Sequence, residues 1–279
     1  MKRRMHGLVW LAMGMLSLAL LAGCRRGPAT GQKTPGARAA ISASVQPEVP
    51  AAAPPSATEQ AIAQAAKGGK YAFVLFYRPD DPAGRQMKAT FGRVEPRLRA
   101  RAVFCSVDAF SADEAPLIQR YRVSQAPLPL TLVMAPNGAV VRTFTKAVDE
   151  QTLRTAFVSA KTAETVKSLQ DRKLVALCLQ GPRTKHNAES RQAAGQFVAN
   201  PQLAGQAVLI TADPRQEPDL LKRCGIASAP RESTVVLLLP PWQLVAKVAG
   251  TTTKDDLLAK LQAALASCGS GCGPSGCGN

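Results

Sequence analysis

The 279-residue chain carries 35 Lys and Arg against 19 Asp and Glu, a formal charge of +16, and is 46% hydrophobic but only 5% aromatic. With two histidines in all, a histidine-rich zinc or copper site is excluded by count. The basic residues are not interleaved with aromatics, which argues against a nucleic-acid surface despite the charge.

The chain opens with Lys2, Arg3 and Arg4, followed by an almost unbroken apolar run from Leu8 to Leu21 softened only by Gly14 and Ser17. A secretory signal reads this way. The run is shorter than the roughly 20 apolar residues a spanning helix needs, and Arg25 and Arg26 follow it closely. It ends in Leu21-Ala22-Gly23-Cys24, which resembles the lipobox of bacterial lipoproteins. The resemblance implies that residues 1–23 are a signal peptide and that the Cys24 thiol takes a diacylglyceryl group, giving attachment through more than one acyl chain. A single chain would bind only marginally. Arg rather than Asp at position 25 implies, by that family's sorting pattern, the outer membrane rather than the inner.

Residues 24–58 are built of Ala, Pro, Gly, Ser, Thr and Gln, with Glu48 as the first acid. Such a composition buries too little apolar surface to offset ordering entropy, and its Ala-Pro runs favour extended conformations. It is expected to be a spacer. The folded part begins near Glu59 and leaves roughly 210 residues, enough for two small domains.

The punctuation from there repeats. Strand-like Tyr71 to Tyr77 is answered by Leu174 to Leu179, and each run leads into a Pro-bearing loop, at 78–82 and 181–184. Helices are expected at about 82–98 and 186–199, then strands Ala102 to Val107 and Ala207 to Thr211, leading to Asp108 and Asp213. Short helices lead to Tyr121-Arg122-Val123 and Cys224-Gly225-Ile226. Hairpins follow at 130–144 and 234–248, and closing helices at 149–160 and 254–266. Tyr77 and Gln180, Pro79 and Pro182, and Val123 and Ile226 are each 103 residues apart, a duplication signal. Each unit reads βαβαββα, which predicts an α/β fold with a mixed central sheet flanked by helices. The expected domains are 59–166 and 167–267, with a Gly/Cys-rich tail at 268–279.

Both units resemble the thioredoxin-like family, the first more closely. Val74 to Tyr77 resembles the strand before the active loop, and Tyr121-Arg122-Val123 resembles the Tyr-x-Val before the cis-proline. Pro129 is the cis-proline candidate. The family's chemistry needs Cys-x-x-Cys, one thiolate to attack a disulfide and one thiol to resolve it. Here those positions hold Asp81 and Gly84 in the first copy, and Thr184 and Asn187 in the second. Position 233, the second copy's counterpart of Pro129, is Ser. Neither loop can carry dithiol exchange, so the fold does not bring the activity with it.

Asp80 and Asp81 precede a helix beginning at Pro82 and are expected to cap it rather than bind metal. His186 reads as a surface or capping residue. Cys105 and Cys178 read as buried small hydrophobes, with a Cys178–Cys224 bridge as an alternative. Cys268, Cys272 and Cys277 lie among glycines. They are open to a passive or disulfide-bearing tail, to thiol exchange, or to Cu(I) or zinc binding. Arg93, Arg97 and Arg101 are four residues apart and share a helix face whose core contacts are expected from Val94 and Leu98.

The expected protein is therefore a noncatalytic, lipid-anchored binding or scaffold protein of the bacterial envelope. Its expected partner is an envelope protein or an anionic envelope component, with no nucleic acid. The alternative is an envelope thiol or Cu(I) handler acting through the tail.

Overall fold

The computed structural model describes residues 54–269. Cys24, the signal segment, Cys272 and Cys277 lie outside the described residues. Two mixed four-stranded sheets are each flanked by helices, in the tandem thioredoxin-like arrangement.

β1 (Tyr71–Tyr77) is apolar on both faces and therefore central. β2 (Ala102–Asp108) runs parallel to it, with Tyr71 opposite Ala102 and Tyr77 opposite Asp108. β3 (Leu130–Met134) pairs on its other side, antiparallel, and β4 (Val140–Phe144) closes the order β2-β1-β3-β4. The second sheet repeats this as β6-β5-β7-β8, from β5 (Leu174–Leu179), β6 (Ala207–Ala212), β7 (Thr234–Leu239) and β8 (Gln243–Ala249).

α2 (Pro82–Leu98) and α4 (Glu150–Arg154) cover one face of the first sheet, burying Phe73 and Leu75 against Met87, Phe91, Val94 and Leu153. Val94 is fully buried and Leu98 packs beside it, as the spacing predicts. α3 (Ala115–Arg120) packs Leu117 on the opposite face with Val74 and Phe76. In the second unit, α6 (Asn187–Val198) and α8 (Lys254–Gly269) bury Phe197, Leu257 and Leu261 on one face. α7 (Pro218–Arg223) presents Leu220 and Leu221 on the other.

One helix per unit departs from the expected order. α1 (Ala57–Lys67) precedes β1, and its counterpart α5 (Ala160–Gln170) precedes β5, their first residues 103 apart. Each unit is therefore αβαβαββα. The closing helix expected at 149–160 stops at Arg154, and Ser159 starts a new one by accepting the Thr162 N–H at 3.0 Å. The division drawn at 166/167 falls inside α5, and the spacer's expected end at residue 58 falls inside α1. Ser56 caps α1 through a reciprocal pair with Glu59.

The same carboxylate device fastens both leading helices. Glu114, at the start of α3, accepts from the hydroxyls of Ser56 and Thr58 at 2.6 Å each. Glu217, at the start of α7, accepts from the hydroxyls of Ser159 and Thr162, the latter at 3.1 Å, and is itself buried. Glu114 and Glu217 are 103 residues apart, so the clasp was duplicated with the fold.

The two units share a seam. Gln170 of α5 bonds both the N–H and the C=O of Val140, Arg142 pairs with Asp219 at 3.5 Å, and Arg223 donates to the Val141 carbonyl. Trp242 packs against apolar clusters of both units. The expected basic face of α2 is partly neutralised, since Arg93 and Arg97 both reach Glu150, at 2.9 and 3.4 Å; Arg101, expected on the same face, lies beyond the helix end at Leu98 and sits 4.1 Å over the Phe157 ring.

Candidate functional site

β1 delivers the chain at Tyr77 into the loop where thioredoxins carry their cysteines. Asp81 is the N-cap of α2, its carboxylate accepting from the N–H groups of Ala83 at 3.3 Å and Gly84 at 3.0 Å. Asp80 instead pairs with Arg78 at 3.2 Å, and that guanidinium holds its carboxyl below the usual range. The capping role expected of these acids is met by Asp81 alone. Gly84 is buried in a crowded spot, since a Cβ there would lie 3.0 Å from the Tyr77 Cβ and 3.1 Å from the Arg78 carbonyl.

The Leu128–Pro129 peptide is cis, as the resemblance implies for Pro129. Beside it lies an open groove of about 530 Å³ between Arg78, the two acids, Phe110, Ala126 and Leu128. Phe110 is 72% exposed, held in its turn by an N–H donated to Asp108 at 3.0 Å, and the Arg78 guanidinium sits 5.5 Å over its ring. Sequence reasoning missed Phe110. Its signal was an aromatic residue two positions after the acid that ends β2.

The second loop is closed by hydrogen bonds. The Thr184 hydroxyl accepts from the Gly181 N–H at 2.8 Å and lies 2.6 Å from the Asn187 side-chain oxygen, while the Asn187 amide donates to the Gly181 carbonyl at 2.9 Å. Both positions that the family pattern gives to cysteine are thus engaged in shaping the turn. Ser233 directly precedes β7, as Pro129 directly precedes β3. His186 is the exposed N-cap of α6 in a left-handed conformation, and its side chain makes no capping bond.

Cys105, Cys178 and Cys224 are free; Cys178 is buried as expected, whereas Cys105 is only part-buried. Burial pushes the Cys105 thiol up to about 11, with Glu114 and Glu95 adding to it, and burial pushes Cys224 to about 11 as well. Cys178 is also raised by burial, with its sulfur 3.6 Å from the Ser233 hydroxyl. Cys178 and Cys224 belong to clusters on opposite faces of the second sheet, which separates the pair considered for a bridge. Cys268 lies in the last turn of α8 rather than in a glycine tail. Among the described residues, no three His, Cys, Asp or Glu side chains are grouped to hold a metal ion, and no helix is long and apolar enough to cross a membrane.

The chain thus has tandem thioredoxin-like domains without an active-loop cysteine pair. No protein-family model matches it, and no curated protein matches it in sequence. Solved structures do match. The first two thioredoxin domains of Saccharomyces cerevisiae Eps1p are 12% identical over 76% of this chain and 98% of that one, with a TM-score of 0.28. The germline thioredoxin Deadhead of Drosophila melanogaster is 24% identical over 33% of this chain and 80% of its own, at 0.28. Oxidised thioredoxin of Plasmodium falciparum is 14% identical over 35% and 88%, at 0.29. At these scores the matches add nothing to the strand order and register described above.

Proposed function

We propose that the protein is a lipid-anchored, noncatalytic binding protein of the bacterial envelope. One observation carries the binding half of this reading: the positions that would hold reactive thiols are built into helix caps and turn bonds, while the groove beside cis-Pro129 stays open with Phe110 on its wall. Such a loop can grip a chain but has no thiolate with which to open a disulfide. The anchoring half is supported by the apolar run ending at Leu21-Ala22-Gly23-Cys24.

The test is insulin-disulfide reduction with dithiothreitol present. The protein is expected to leave the rate at background, and catalytic acceleration overturns the reading. Metabolic labelling with a fatty acid, lost in Cys24→Ser, tests the anchor separately.

A second reading, thiol exchange or Cu(I) handling by Cys268, Cys272 and Cys277, is supported by the grouping of three cysteines at positions 268, 272 and 277 of the sequence, outside the sheets that hold Cys105 and Cys178. Stoichiometric Cu(I) uptake or exchange, lost on replacing the three tail cysteines by Ser, supports it. Parent-like behaviour of that variant removes it.

A further inference from the structure

We propose that the second domain binds an acidic, extended polypeptide segment in the trough between α7 and the loop at 225–231. Two adjoining hollows, of about 810 and 140 Å³, share Pro214, Arg215 and Ala229 and so form one trough. Leu221 and Ile226 supply apolar surface along it. Arg215 and Lys222 line the larger part, and Arg183 and Arg231 line the smaller. All four are exposed, and among the described residues none forms an ion pair.

The nearby acids do not cancel this charge. Asp213 lines the smaller hollow, accepting the Arg215 N–H at 3.0 Å and lying so close to Gly181 that a Cβ there would be 2.7 Å from its oxygen. Glu217 and Asp219, at the start of the same helix, turn to the hydroxyls of α5 and to Arg142 in the seam. Glu232 points toward Gly250, where a Cβ would approach its carboxylate to 3.0 Å. Four cations therefore face one carboxylate. The first-domain groove is the reverse, with Asp80 and Asp81 against Arg78.

The backbone argues for polypeptide over a lipid surface. Among the described residues, Ala227, Ser228 and Ala229 are exposed and make no hydrogen bond, so their N–H and C=O groups are open to the backbone of a bound chain. A bilayer presents a plane and cannot fill a trough. Cations on the walls then favour Asp- and Glu-rich segments and disfavour basic ones. This inference depends neither on the Cys24 anchor nor on the first-domain groove.

The test is fluorescence anisotropy with the full chain in mild detergent, titrated into a labelled Glu/Ala peptide, a Gln/Ala peptide of equal length, and phosphatidylglycerol vesicles. The Glu/Ala peptide is expected to bind at least about tenfold more tightly than the Gln/Ala peptide. Arg215→Glu/Lys222→Glu/Arg231→Glu is expected to weaken it at least about tenfold, whereas Arg99→Glu/Lys146→Glu/Lys173→Glu, an equal charge change elsewhere, costs less than about twofold. Should the first variant fail to fold, Arg215→Gln/Lys222→Gln is expected to weaken binding about threefold or more. Equal binding of the two peptides, equal loss in the two charge-reversed variants, or vesicle binding without peptide binding overturns the proposal.

Discussion

The two repeats keep one strand order but place their core aromatics differently. Phe73 of β1 is fully buried against Phe91, Phe104 and Phe157, whereas the residue at the same place in β5 is Ala176, also fully buried. The second unit recovers volume from its helices, through Phe197 of α6 and through Leu257 and Leu261 of α8, which is 16 residues long where α4 has five. Bulk given up in the central strand of the second unit is matched here by a longer closing helix. The same divergence separates the loops, one retaining a cis-proline beside an open aromatic groove and the other a bonded turn beside a basic trough.

That contrast can be broken first at its core. Phe73→Ala gives the first unit the second unit's strand residue without its helix cover, and is expected to cost about 4 kcal/mol in urea denaturation. The clasps give a matched pair of smaller effect. Glu217→Ala leaves two hydroxyls without an acceptor in a buried setting and is expected to cost about 3 kcal/mol, against about 2 kcal/mol for Glu114→Ala, which is less buried. Equal costs would mean that depth of burial does not distinguish the two clasps.

The thiols sharpen the comparison through pH. Cys105 in the first unit and Cys224 in the second are each raised from an ordinary 9.0 to about 11 when folded. The unfolded chain loses these protons first, so the folded state binds more protons between those values and stability falls as pH rises through the window. Cys105→Ala and Cys224→Ala are each expected to flatten part of that fall, and native alkylation at pH 8 is expected to be far slower than in denaturant. The smallest effect concerns backbone. The units exchange residues at left-handed positions, with Arg122 at φ 50° matched by Gly225 at 64°, and Gly69 at 65° matched by Arg172 at 62°. Arg122→Gly relieves the conformational cost of a side chain there and is expected to change stability by no more than about 1 kcal/mol in the favourable direction.

The strands, the duplication and the missing cysteines were legible because they rest on local signals: apolar runs, a repeated offset and loop chemistry. The leading helices were not. Ala57 to Lys67 adjoins a Pro-rich segment, and Ala160 to Gln170 follows another short helix so closely that the two read as one boundary region. Ser56 and Glu59, three apart, were the cap signal that could have separated α1. The Glu114 and Glu217 clasps were visible only as an acid recurring at the duplication offset. The basic trough was not visible in the sequence because Arg183, Arg215, Lys222 and Arg231 come from separate segments that only the fold brings together.

The crowding at Gly84 bears on whether this loop could hold a cysteine pair. A Cys at position 81 would take an existing helix-cap place, but one at 84 would press on Tyr77 and on the loop backbone until they shifted. Two substitutions would rebuild the lettering of a redox motif without rebuilding the space for it. A cysteine pair at 81 and 84 therefore requires the Tyr77 side chain and the Arg78 carbonyl to give way by a few tenths of an ångström.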